Sequence, residues 1–133
     1  MKFKSKARNR GFTLIEMVVV ISLIAILLSI ALPMYNQSII RARETTLRQN
    51  LATLNKVIDQ YTLDKQKAPQ SLDDLVSAGY LKQIPYDITG NRDSWVLEQE
   101  DSLKSIDQTQ PGIVGVHSGS DQTASDGTAY SSW

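Results

Sequence analysis

Two stretches of this sequence hold residues whose types and spacing could do chemistry. In Gly11-Phe12-Thr13-Leu14-Ile15-Glu16 a carboxylate stands inside an otherwise uncharged apolar run, just after a glycine and a basic tip. Farther on, His117, Ser118, Ser120, Asp121, Thr123, Ser125 and Asp126 crowd polar donors into ten residues. The first pattern suits proteolysis and charge pairing. The second suits a hard cation such as calcium, which takes about six to eight oxygen ligands. Neither suits catalysis. His117 is the only histidine, and a triad with Ser118 and Asp121 would need geometry that adjacency in sequence does not supply. No phosphate-binding glycine motif is present, so no catalytic residue and no enzyme activity are expected.

Glu16 demands an explanation, because a carboxylate at the centre of a membrane helix costs roughly 2.5–3.5 kcal/mol. Three readings compete. A secretory signal would place a small-x-small cleavage site at Ser29-Ile30-Ala31, but the apolar run is long for such a signal and the helical pattern continues through the site. A plain anchor explains the length and leaves Glu16 without a partner. Cleavage between Gly11 and Phe12 supplies one: the new α-amine of Phe12, with a pKa of about 8, is mostly cationic at neutral pH and lies at the depth of Glu16. That pair can form within one chain or between neighbours, and glycine before the bond gives a protease close access to the backbone.

These residues must be positioned by helices. Phe12 to Leu32 are 21 residues with one charge, and as a helix they rise about 30 Å, the hydrocarbon thickness of a bilayer. Lys2, Lys4, Lys6, Arg8 and Arg10 precede the run, against Arg41, Arg43 and Arg48 after Pro33. This bias keeps the N-terminus cytoplasmic and sends the rest across. Beyond it, Leu47, Leu51, Leu54, Ile58 and Tyr61 recur at spacings of 4, 3, 4 and 3, one narrow apolar stripe on a helix that continues to about Lys65 and packs on the chain's own C-terminal part. Arg48 and the polar residues between the stripe positions make the wet face. Pro33 inside the helical pattern removes a backbone hydrogen bond, so a kink or loosened turn is expected before it.

In the remainder, Ser71 is placed to cap a short helix with Asp74 at capping-box spacing, Leu72, Leu75 and Val76 give it an apolar face, and Gly79 ends it. Residues 94–98 and 113–117 read as strands, with a further short one at Ser102–Ile106. The expected fold class is α+β: a long N-terminal transmembrane and amphipathic helix packed on a small antiparallel sheet of two to four strands. The chain is neutral overall, but residues 51–133 carry twelve Asp and Glu against six cations, which argues against nucleic acid as a partner. The absence of cysteine excludes disulfides and thiolate metal sites.

Gly11-Phe12-Thr13-Leu14-Ile15-Glu16, the apolar helix and Pro33 together resemble the class III signal of type IV pilins and type II secretion pseudopilins. The resemblance implies cleavage after Gly11 by a prepilin peptidase, N-methylation of Phe12, and a role in assembly for Glu16, with Pro33 in a stretch that can unwind as subunits pack. Tyr61-x-Leu63-Asp64, Pro69, Leu72, Leu75, Gly79-Tyr80-Leu81, Ile84-Pro85-x-Asp87 and Gly90 further resemble the major, G-type pseudopilin of type II secretion, with a type IV pilin-like fold. That family binds calcium in its C-terminal loop, and Gly119-x-Asp121 with Trp133 is similar to its pattern. The resemblance therefore implies Asp121 and Asp126 as side-chain ligands, with carbonyls near Ser118 and Ser125. The EF-hand template fails here, and the family's later acidic pair falls near Thr128 and Ala129, which are not acidic.

The expected organisation is a cytoplasmic leader over 1–11, a transmembrane and filament-core helix over 12–33, an amphipathic extension over 34–66 and a small α/β head over 67–133. The expected function is that of a structural subunit of a type II secretion pseudopilus, a helical self-polymer that drives protein export. Its implied partners are minor pseudopilins, the prepilin peptidase and an inner-membrane assembly platform. It would cross the inner membrane once, N-terminus inside, with the head periplasmic or extracellular. A type IV pilus subunit forming a surface fibre, and a membrane-tethered binding domain that never polymerises, are the alternatives.

Overall fold

The computed structural model describes residues 10–100 and 111–133. Its elements run α1 (Leu14–Lys65), α2 (Leu72–Ser77), β1 (Val96–Gln99), β2 (Ile113–His117) and a 3-10 turn at Tyr130–Ser132. The strand expected within Ser102–Ile106 lies outside the described residues. The chain divides into two compact units, Met1–Ser38 and Ile39–Trp133.

The first unit is the start of α1. Thr13 opens the helix: its hydroxyl accepts from the Glu16 N–H at 3.2 Å, and its carbonyl accepts from Met17 N–H. Thr13 and Glu16 thus stand at capping-box spacing, with a carboxylate in the first turn where the helix dipole favours an anion. The helix is apolar around its whole circumference, a pattern that soluble helices lack, and every residue from 12 to 38 is exposed. The hydroxyls of Ser22, Ser29 and Ser38 donate to the carbonyls of Val18, Ile26 and Met34, which satisfies these polar groups inside the helix. Ser29-Ile30-Ala31 lies in mid-helix, and α1 continues through Pro33.

The second unit is built on the expected stripe. Leu47, Leu51, Leu54, Val57, Ile58 and Tyr61 are buried, and they share a core with Leu72, Leu75, Trp95, Ile113, Val116, Ala124 and Tyr130. Full burial of one such side chain is worth about 1.5–3 kcal/mol, so the helix face is the main support of this unit. The capping box of α2 forms: Ser71 Oγ accepts from Asp74 N–H, while Asp74 accepts from the Ser71 N–H. Gly79 then takes a positive φ of 85°, its N–H reaches the Val76 carbonyl, and Tyr80 N–H reaches that of Leu75. This Schellman closure delivers Tyr80 edge-on to Tyr61, with ring centroids 5.5 Å apart.

The two strands pair antiparallel with Leu97 opposite Val116 and a bulge between Glu98 and Gln99. The inner strand β2 is fastened to its surroundings by polar contacts as well as apolar ones. Val116 N–H donates to Asn55 Oδ1 of α1 at 3.1 Å, and Ile113 N–H donates to the Pro69 carbonyl at 2.8 Å. The α+β arrangement predicted from sequence is the one observed.

Candidate functional site

The N-terminal site is a short exposed segment leading into a helix. Gly11, Phe12 and Thr13 precede α1 without regular structure, Phe12 is 79% exposed, and no atom lies near the space a side chain at Gly11 would take. The peptide bond between residues 11 and 12 therefore lies on an exposed segment outside the helix. Glu16 follows one turn into the helix, among Leu14 at 85% and Ile15 at 73% exposure. An apolar surface of this extent, with a lone carboxylate at its start, has to be covered by lipid or by other apolar helices. By length and composition α1 is able to cross a membrane.

The C-terminal loop is organised differently from its sequence expectation. Thr123 bridges Ala129, Ala124 N–H donates to Thr128 O, and Gly127 N–H closes the turn onto Ala124 O. Asp126 sits in this turn. Its Oδ1 accepts from Thr128 N–H at 2.9 Å and Thr128 Oγ1 at 2.6 Å, and its Oδ2 pairs with Arg48 Nη2 at 3.1 Å. The Thr128 hydrogen bonds, followed by the Arg48 charge, hold the Asp126 carboxyl below its ordinary range. Ser125 Oγ donates to Glu44, and Ser118 Oγ donates to Asp87 at 2.6 Å. Asp121 is exposed.

This donor set does not fit a calcium ion. Asp126, one of the two implied side-chain ligands, already faces a guanidinium, and among the described residues no group of three His, Cys, Asp or Glu side chains is placed to hold a metal ion.

Three residues to which the sequence reading gave no such role tie the head together. Glu44 is buried and accepts from Ser125 N–H at 2.7 Å, Ser125 Oγ, and Tyr130 Oη at 3.0 Å. The Ser125 hydroxyl bond, with its backbone partner, lowers the Glu44 pKa. The signal was available, because Glu44 lies three residues before Leu47 and so continues the apolar stripe as its one carboxylate. Arg48, assigned from sequence to the wet face, reaches the loop and stacks 4.0 Å over the Trp133 ring. Asp87, 4% exposed, takes four donors: Ser118 Oγ, Gly119 N–H at 2.9 Å, Ser94 Oγ at 3.0 Å and Ile88 N–H at 2.7 Å. Gly119 is required beside it, since a Cβ there would meet the Ser94 carbonyl oxygen.

His117 ends β2 as a structural residue. Its Nδ1 is 2.7 Å from the Trp133 carbonyl oxygen, and its Nε2 is 3.4 Å from Glu98. Neither partner is a hydroxyl or thiol that the imidazole could deprotonate.

Comparison with known proteins agrees with this arrangement. A family model described as the prokaryotic N-terminal methylation motif matches residues 6–32, which include Gly11, Phe12 and Glu16. The chain is 32% identical over 102 residues to the type II secretion system core protein G of Aeromonas hydrophila, covering 65% of this chain and 71% of that one. It is also 32% identical over 100 residues to the core protein G of Escherichia coli, covering 63% and 69%. Similarity to the type IV major fimbrial protein FimA of Dichelobacter nodosus is 34% over 65 residues, 49% of this chain and 41% of the relative. No solved structure gives a significant match. The matches to core protein G run over 100 and 102 residues, against 65 for FimA. The chain belongs to the type II secretion system core protein G family, and it is a pseudopilin.

Proposed function

We propose that this pseudopilin is stored in the inner membrane through residues 12–33 with its N-terminus inside. Removal of residues 1–11 by the prepilin peptidase and N-methylation of Phe12 make it competent to assemble. It then polymerises on the inner-membrane platform, together with minor pseudopilins, into a helical filament that drives protein export. The observation that carries this reading is the helix start: an accessible Gly11–Phe12 bond, one turn before a lone carboxylate, on a helix apolar all round. In a filament the apolar surfaces cover one another, and Glu16 meets the Phe12 amine of its own or a neighbouring chain. The work is mechanical, and no residue of the chain is assigned a catalytic role.

Two measurements test the reading. The intact mass of the mature protein is expected to place its N-terminus at methylated Phe12, and a mass starting at Met1 or Leu32 refutes the processing step. Glu16→Ala is expected to leave membrane insertion intact and to abolish filaments; normal filament yield would refute charge pairing. The pilin relatives favour a surface fibre as the second reading, over their shorter matched stretch. Electron microscopy separates the two, because a secretion pseudopilus stays short at native expression whereas a pilus extends from the cell.

A further inference from the structure

We infer that the cation closing the C-terminal loop of this chain is Arg48 of α1, and that the head therefore folds without a metal ion. Loop 118–133 is the place where the family resemblance implies calcium. A bound calcium would draw carboxylates and carbonyls of the loop together and cancel their charge. Here that work is divided between two α1 side chains one turn apart. Glu44 supplies the anion that gathers Ser125 N–H, Ser125 Oγ and Tyr130 Oη. Arg48 supplies the positive charge: it pairs with Asp126 at 3.1 Å and lies on the face of Trp133. Trp133 in turn donates from Nε1 to Thr128 Oγ1 at 2.7 Å and meets Tyr130 edge-on at 5.1 Å.

The contacts form a closed circuit. Arg48 touches Asp126 and Trp133, both touch Thr128, and Tyr130 returns to Glu44, which is four residues before Arg48 on the same helix. A planar guanidinium suits this position because it can bond a carboxylate at its edge and stack on an indole with its face, which neither lysine nor a metal ion does. The geometry accounts for the departure noted in the sequence: Thr128 and Ala129 stand where acidic ligands are expected, and the one carboxylate kept in the turn, Asp126, is turned toward the arginine. The inference concerns folding of the head and holds whether or not the chain forms filaments.

Thermal melting of the full chain in detergent micelles tests it, with calcium added in one arm and a calcium chelator in the other. The wild-type midpoint is expected to be the same in both. Arg48→Met is expected to lower the midpoint equally in both arms, by about 4–8 °C, the shift that loss of one modest contact gives in a domain of this size. Arg48→Lys, which keeps charge without the fork or the stack, is expected to recover only part of that loss. Asp121→Asn, at the first implied ligand, is expected to change nothing. A wild-type midpoint that rises with calcium or falls with chelator overturns the inference, as does an Arg48→Met chain that melts with the wild type.

Discussion

Asp87 offers the most direct measure of how this head is assembled. Its carboxylate is the meeting point of the turn after Pro85, the segment leading into β1 and the segment after β2, through Ile88 N–H, Ser94 Oγ, Ser118 Oγ and Gly119 N–H. In Asp87→Ala, the donors with fewest substitutes are Ser118, whose side chain is fully buried, and the Gly119 amide. Ser94 keeps a second partner in Thr89. A buried donor left unsatisfied costs about 1–3 kcal/mol, so two of them cost about 2–6 kcal/mol. At about 4–8 °C per kcal/mol for a domain of this size, the melting midpoint falls by about 8 °C or more. Asp87→Asn keeps the shape and one oxygen but sets an amide N–H₂ against the Gly119 N–H or the Ser118 hydroxyl. One orphaned donor remains, and about half the loss is expected. The assay is the far-UV circular dichroism melt of the full chain in detergent micelles at fixed pH. The reasoning fails if Asp87→Asn melts with the wild type, because the network would then not depend on a carboxylate.

Two further outcomes follow from the same unit. Glu44, held low chiefly by the Ser125 hydroxyl, and Asp126, held low chiefly by Thr128, both sit below their ordinary values of 4.5 and 3.8. A carboxylate lowered in the folded state contributes stability that is complete above its unfolded pKa and is lost as pH falls through the folded one. The midpoint is thus expected to be flat above about pH 5 and to drop below it, with a shallower drop in Glu44→Gln; equal slopes would contradict the assignment. Leu54→Ala, at a side chain with 0% exposure, is expected to cost about 2–5 kcal/mol, read as a lower urea midpoint at unchanged slope, with membrane insertion unaltered.

Most of the architecture was legible because local and global signals agree. The 4-3-4-3 spacing from Leu47 to Tyr61 located the buried face of α1, and Ser71 with Asp74 and Gly79 located both ends of α2. The strands near Trp95 and Val116 were legible as β-branched and aromatic runs between turn residues. The N-terminal methylation motif could be read because Gly11, Phe12 and Glu16 lie within six residues, so no fold is needed to bring them together. The C-terminal loop was not legible for the opposite reason. Its partners, Glu44, Arg48 and Asp87, lie between 31 and 86 residues away, and a dense run of oxygen donors looks the same whether a metal or distant side chains satisfy it. Only the fold decides which hydroxyl is already committed. Glu44 was the exception that could have been found, since a carboxylate in register with a buried stripe has to be answered by donors from elsewhere in the chain.

Glu16 shows how the setting of a charge changes its cost. At the first turn of α1 it gains about 0.3–1 kcal/mol from the helix dipole, which is smaller than the roughly 2.5–3.5 kcal/mol charged at a bilayer centre. In a single membrane-stored subunit the deficit is modest, because a residue at the helix start lies near the headgroups and their water. On the filament reading that escape closes. The helix start becomes surrounded by apolar faces such as those of Leu14, Ile15 and Val18 on neighbouring copies, and the dipole alone no longer offsets the desolvation. A cation at the same depth is then required. The nearest one this chain can make is the α-amine of Phe12, which appears only after the bond to Gly11 is cut. On that reading the carboxylate is tolerable in the stored precursor and indispensable in the assembled subunit, and the change from one to the other is the cut between Gly11 and Phe12 that the mature mass and the Glu16→Ala variant test.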